Sequence, residues 1–208
     1  MMTLYDFHDS GNGYKLRLLM HLIKQPYRYV EVDILNGESR TQEFLSQRNP
    51  NGRIPVLAVD DGPTLAESNA ILYYLAQGSD FWPTDTVAQA QVLSWMFFEQ
   101  YSHEPFIATS RFIRKHRELD AEQTALLEAK KAPGEAALAI LESQLTHTDW
   151  LVGDRMTIAD IALYAYTHVA HEGGFTLAPY PGVNAWLERI ARQPRYVTIA
   201  HTEGLSAD

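Results

Sequence analysis

The stretch NPNGRIPVLAVDDGPTLAESNAILYYL, residues 49–75, decides the fold. It reads as a turn, a short strand, a tight turn, a second short strand and the start of a helix. Asp60-Asp61-Gly62 is a hairpin signal between the apolar run at 54–59 and the strand formers at 64–66. Two features in it suit a ligand better than they suit folding alone. Pro55 interrupts a run that should pair in a sheet, and proline cannot donate to a ladder. Glu67 and Ser68 stand where the second strand gives way to a helix, a place where unpaired N–H groups face outward. A backbone edge beside a helix N-terminus suits something small, extended and anionic.

Toward the N-terminus, residues 3–7 (TLYDF) form a strand and residues 8–13 (HDSGNG) a loop. Leu16, Leu19, Met20 and Ile23 then mark one face of a helix over 14–24, which Pro26 ends. Residues 27–33 alternate as a half-buried strand, and strand–helix–strand favours a right-handed parallel crossover. A short helix is expected over 41–47. The first domain, 1–77, is therefore βαβ followed by ββα, the thioredoxin-like pattern.

Residues 78–86 (GSDFWPTDT) make a linker, and 87–208 read as an all-helical domain. A long helix over 87–118 should kink at Pro105. Residues 121–131 and 135–145 flank Pro133-Gly134 and are either two helices or one with a break. Thr157 with Asp160 fits a capping box, and Met156 with Ile161 the accompanying staple. Residues 181–192 and 194–201 add two short helices. The fold class is α/β plus all-α.

Of the 208 residues, 46% are hydrophobic and 21% charged, an ordinary globular composition. A formal net charge of −9 argues against nucleic acid and anionic membrane as partners. The absence of cysteine removes any disulfide, protein thiolate or Cys-based zinc site. MTLYDF lacks the basic-then-apolar order of a signal peptide, and no apolar run reaches the ~20 residues that span a bilayer. The expectation is a cytoplasmic protein.

Ser10 lies in the loop before the first helix. Its hydroxyl, at the positive end of a helix dipole, can stabilise an anion; equally, Ser10 or Asn12 can simply cap the helix. A Ser–His–Asp triad with His8 and Asp9 is rejected, since neighbours in a loop do not converge and no nucleophile elbow is present. Glu67 can receive an ammonium while Ser68 receives a carboxylate, so the pair can read both ends of an amino-acid zwitterion. Capping by Ser68 is the plainer reading, and it leaves Glu67 unexplained. If the Ile54–Pro55 bond is cis, Ile54 keeps its N–H and C=O for an extended ligand. Arg53 either meets a terminal carboxylate or is merely exposed. His168, His171 and Glu172 have a metal-like spacing without a further ligand and read as structural, so no metal is expected. The basic run 111–117 (RFIRKHR) complements a helix C-terminus.

Three segments, NPNGRIPVL, LAESNAILYYL and GDRMTIADIAL, in this order and spacing, carry a resemblance along the whole chain to the cytosolic glutathione transferase superfamily, bacterial in flavour. The resemblance implies a cis proline at Pro55, with Ile54 pairing its backbone to the cysteinyl part of glutathione. It implies that Glu67 and Ser68 hold the γ-glutamyl end and that Arg53 meets the glycyl carboxylate. The loop SGNGYKLRL is similar to Ser-type active-site loops, with Ser10 or Asn12 at the glutathione sulfur. Thr157 and Asp160 belong to a folding signal. The implied activity is attack of the glutathione thiol on a small hydrophobic electrophile lying between the domains, against a helix carrying Trp95, Phe97, Phe98 and Tyr101. Alternatives are glutathione-dependent disulfide or peroxide reduction, or a non-catalytic glutathione-binding module. A homodimer and a role in detoxification are implied as well.

Overall fold

A computed structural model describes residues 1–60 and 62–206. They divide into two compact units, Met1–Ser79 with the segment from Gln193 on, and Asp80–Arg192.

The first unit runs β1 (Met2–Asp6), α1 (Gly11–Leu22), β2 (Tyr27–Glu31), α2 (Gln42–Gln47), β3 (Val56–Ala58), β4 (Thr64–Ala66) and α3 (Ser68–Ala76). β1 and β2 are parallel, joined through α1 as the crossover rule requires. β3 pairs antiparallel with β1 and with β4, giving the order β2-β1-β3-β4. This is the thioredoxin-like arrangement. The β3–β4 turn includes Asp61, which lies outside the described residues; beside it the Gly62 N–H donates to the Val59 carbonyl at 3.1 Å. Leu16, Leu19 and Met20 of α1 and Ile71 and Leu72 of α3 are fully buried, as are Leu4, Val56 and Leu57 of the sheet. Burial of α1 extends beyond its apolar face to Lys15 and Arg17, both wholly excluded from solvent.

The C-terminal segment departs from expectation, because residues 194–201 form no helix. Its carbonyls serve buried donors of the first unit instead. The Tyr14 hydroxyl donates to Val197 at 2.7 Å, and the Arg17 guanidinium to Ile199 at 2.7 Å and His201 at 2.5 Å. The Tyr27 N–H donates to Leu205 at 3.0 Å. Carbonyls used this way do not need intrahelical partners.

Between Asp80 and Arg192 the described residues are helical and contain no strand. α4 (Thr86–Phe98) passes into a π-helical turn, Glu99–His103, and then into α5 (Glu104–His116). The irregularity expected at Pro105 thus falls a turn earlier. Pro105 itself sits in the first turn of α5, where a missing N–H breaks no bond, and the wider π turn takes up the backbone change. α6 (Ala121–Leu145) is one helix, continuous through Pro133. Gly134 is required there, since a Cβ would come within 2.4 Å of the Phe175 ring. α7 (Ile158–Thr167) and α8 (Pro181–Ala191) complete the unit. No helix among the described residues is long and apolar enough to cross a membrane.

The expected capping box opens α7 and does more than cap it. Asp160, fully buried, accepts from the Thr157 N–H at 2.8 Å, the Leu151 N–H at 3.0 Å and the Trp186 indole N–H at 2.9 Å. Burial pushes its carboxyl above the usual carboxylate range, while these donors pull it back. Asp160→Ala leaves several buried donors unpaired and should cost about 3 kcal/mol. Urea unfolding at pH 7 reads this directly, and a loss below about 1 kcal/mol would contradict the role assigned to Asp160.

Candidate functional site

Three chain segments leave the sheet at one end. Tyr5, near the end of β1, lies opposite Val56, the first residue of β3, and Val56 pairs with Ala66, the last residue of β4. The loop into α1, the approach through Arg53–Pro55 and the exit through Glu67–Ser68 therefore converge. Antiparallel pairing on both sides of β3 forces this result.

The Ile54–Pro55 bond is cis. The NPNG turn before it is held by Asn49, which is buried: its Nδ2 donates to the Arg53 carbonyl at 2.9 Å and its Oδ1 accepts from the Asn51 N–H at 3.0 Å. Among the described residues, no hydrogen bond is made to the Ile54 N–H or C=O. Arg53 is exposed.

Ser10 is the N-cap of α1, its Oγ accepting from the Gly13 N–H at 3.3 Å. The cap uses an acceptor lone pair, so the hydroxyl proton can still be donated. Gly13 allows the loop to lie against Asp6, because a Cβ there would fall 1.8 Å from the Asp6 carboxyl group. His8 faces away from Ser10: its Nδ1 lies 2.8 Å from Glu31 Oε1. Burial pushes the Glu31 carboxyl up, but bonds from Tyr29 and His8 outweigh it and leave the pKa lowered.

Ser68, the first residue of α3, joins the two halves of the site. Its hydroxyl donates to Asn12 Oδ1 at 3.2 Å and accepts from Lys15 Nζ at 3.2 Å; Lys15 also reaches Asn69 Oδ1 at 3.4 Å. This network orients the Asn12 carboxamide, with its oxygen toward Ser68. Glu67 precedes Ser68 with φ 69° and ψ 108°, a left-handed backbone that a non-glycine residue adopts rarely. Its side chain is exposed and makes no cap bond. Simple capping by Ser68 does not describe this corner.

Ser10, Asn12 and Ser68 are thus brought to one corner, with Glu67 adjoining and Ile54 at the same end of the sheet. Sequence reasoning missed Lys15 and Asn69. The signal available was that Lys15 lies one turn before Leu19, on the buried side of α1. In the helical unit, Glu172 is engaged by Arg111 Nε at 2.7 Å and Lys115 Nζ at 3.1 Å. His168 stacks on Tyr164, with its Nδ1 2.9 Å from that residue's carbonyl oxygen, and burial pushes its pKa down to about 4.

A thioredoxin-like domain with an open backbone edge at a cis proline, followed by a helical unit, is the arrangement that the sequence resemblance implies. Comparison with known proteins makes the assignment specific. Residues 1–77 match the family model for the glutathione S-transferase N-terminal domain, and residues 94–194 that for the C-terminal domain. A crystal structure of glutathione S-transferase from Pseudomonas fluorescens Pf-5 is 49% identical, with a TM-score of 0.93 over 96% of this chain and 99% of that one. The disulfide-bond oxidoreductase YfcG of Escherichia coli is 31% identical over 93% of this chain and 92% of its own. Ure2p in complex with glutathione is 26% identical, with a TM-score of 0.82 over 93% of this chain and 90% of that one. The chain belongs to the glutathione S-transferase family.

Beneath the α1 loop, burial pushes the Asp6 carboxyl up to about 7, against the pull of Arg17. The unfolded-state value is about 3.9. Between pH ~4 and ~7 the folded chain therefore holds a proton that the unfolded chain has released, so this group's stabilising contribution falls as pH rises. In unfolding measured from pH 3 to 8, the stability of wild type relative to Asp6→Asn should decline across that window and be level on either side. A constant difference would sink the assignment.

Proposed function

We propose that the chain is a glutathione transferase that stabilises the glutathione thiolate and directs it onto a small hydrophobic electrophile. The observation carrying this reading is the placement of the Ser10 hydroxyl and the Asn12 carboxamide together at the positive end of α1. The glutathione cysteinyl backbone pairs with the Ile54 N–H and C=O. Its γ-glutamyl ammonium meets Glu67, the neighbouring carboxylate meets Ser68 and the start of α3, and the glycyl carboxylate meets Arg53.

A free thiol with pKa about 8.5 is only a few per cent ionised at pH 7. Hydrogen-bond donors and a helix N-terminus favour the anion, and a shift of about two units makes most of the bound thiol reactive. The thiolate attacks the electrophilic carbon, a C–S bond forms, and the leaving group departs with its electron pair. Ser10 and Asn12 stabilise the anion and are not nucleophiles. Phe97 and Tyr101, 68% and 86% exposed, are apolar candidates for the electrophile. The reading extends to a homodimer acting in detoxification in the cytoplasm; light scattering tests the dimer as a mass of two chains.

The likeness to YfcG favours disulfide reduction as the second reading. Lacking cysteine, the chain would need two glutathiones: the first thiolate displaces one thiol to form a mixed disulfide, and the second displaces the other. One disulfide and two glutathiones give two thiols and one glutathione disulfide.

Conjugation to an aryl halide, followed beside reduction of a small disulfide, separates the readings. For a transferase, conjugation should proceed on wild type, fall about 10- to 100-fold in Ser10→Ala or Asn12→Ala, and be accompanied by a raised pKa of the bound thiol. Turnover only on the disulfide replaces the first reading with the second. Tight glutathione binding without turnover on either substrate favours a non-catalytic module.

A further inference from the structure

We propose that a cavity in the helical unit, between the end of α5, the first half of α6 and the loop at 173–175, binds a small organic monocarboxylate. The cavity measures about 240 Å³ and lies wholly within Asp80–Arg192, so it stands independently of the glutathione reading. Ser110 of α5 lines it. That side chain is 1% exposed, and among the described residues its Oγ has no hydrogen-bond partner. A helical serine commonly returns its hydroxyl to a carbonyl one turn earlier, and a buried hydroxyl left without a partner is costly. A ligand that enters the cavity and accepts that proton removes the cost.

Arg114 follows Ser110 by one turn and so shares its face of α5. Its Nε donates to the Gly173 carbonyl at 3.1 Å. The guanidinium lies against Gly174, where a Cβ would come within 2.8 Å of Nε and 2.9 Å of Nη2. Gly174, at φ 88°, thereby leaves the space that fixes the guanidinium plane. Complementing the α5 dipole requires no such fixed pose. With Nε engaged, the edge formed by Nη1 and Nη2 faces a carboxylate as a two-pronged donor. Lys131 of α6 lines the same cavity, as does Glu128 one turn before it. All three charged side chains are exposed, and none makes an ion pair among the described residues. Glu172, which precedes the loop, is engaged instead by Arg111 at 2.7 Å and Lys115 at 3.1 Å. Two cations and one carboxylate leave a single positive charge at the cavity, which suits a monoanion better than a phosphate dianion. Buried Phe175 and half-buried Leu127 add apolar wall. A cavity of roughly 150 Å³ holds benzene, so this one has room for a ring and its carboxylate.

Benzoate is the probe, and the Gly173 and Gly174 amides, followed by heteronuclear NMR on the full chain, are the reporters. Both should shift saturably with benzoate and far less with benzyl alcohol, its uncharged counterpart. Arg114→Gln should weaken benzoate binding about tenfold and Ser110→Ala about fivefold. Lys131→Gln should weaken it about threefold, and Glu128→Gln should tighten it about twofold, a gain that a merely structural wall would not give. Ser110→Ala should also raise the Tm or leave it unchanged, because the hydroxyl it removes has no partner within the fold. Absence of a saturable shift at these amides overturns the site, and so does equal binding of benzyl alcohol. A lowered Tm in Ser110→Ala assigns the hydroxyl to folding and overturns its role here. Inorganic phosphate binding more tightly than benzoate overturns the assignment to a carboxylate.

Discussion

The first unit depends on one buried guanidinium. Arg17 is fully enclosed, its Nε 3.2 Å from Asp6 Oδ2 and its remaining nitrogens spent on backbone carbonyls. Two of those carbonyls, His8 at 2.9 Å and Ser10 at 3.4 Å, belong to the loop that carries the candidate chemistry. Two more, Ile199 and His201, belong to the C-terminal segment. Planar, with five donors in fixed directions, arginine can hold four carbonyls at once; lysine cannot. The loop before α1 is therefore braced from beneath and from the chain's far end. A donor at the tip of such a loop is placed before any ligand arrives, and preorganisation of this kind makes anion stabilisation effective.

The candidate site draws on two helix N-termini, α1 and α3, rather than on one segment. Each supplies a partial positive charge and outward N–H groups. Ser68 lies between them, bonded to Asn12 and Lys15 of α1 while itself beginning α3. The two termini cannot drift apart without breaking that pair of bonds. Because the chain has no cysteine, any sulfur chemistry here belongs to the ligand, and the protein's part is confined to electrostatics and orientation.

Much of this was legible because the local signals were strong and agreed. Pro55 in an apolar run, the hairpin residues and the Thr157–Asp160 spacing each have one common physical cause, and each element is present. What the sequence did not disclose depended on tertiary neighbours. Residues 194–201 carry enough helical pattern to suggest a helix, yet Tyr14 and Arg17, nearly two hundred residues earlier, claim their carbonyls. The Pro133-Gly134 pair leaves two helices or one with a break open, and α6 is continuous through it, with Gly134 against the Phe175 ring. Lys15 is wholly buried, on a helix whose periodicity marks only the face of Leu16, Leu19, Met20 and Ile23. Periodicity records which side of a helix is apolar, not how much of the remainder is covered.

Glu67 shows most plainly where folding alone stops explaining the chain. A residue at φ 69° would be glycine or asparagine if stability were the only requirement. A glutamate held there costs on the order of 1–3 kcal/mol. Capping does not offset the cost, since the side chain makes no cap bond, and packing does not, since the side chain is exposed. What the conformation achieves is direction: it turns the backbone sharply between β4 and α3, so that a carboxylate stands next to the hydroxyl that begins the helix. An acidic group beside a helix N-terminus makes little sense for a simple anion, which it would repel. It makes sense for a ligand end that carries both charges on one carbon. The strain and the zwitterion reading thus support each other, one from backbone conformation and the other from charge.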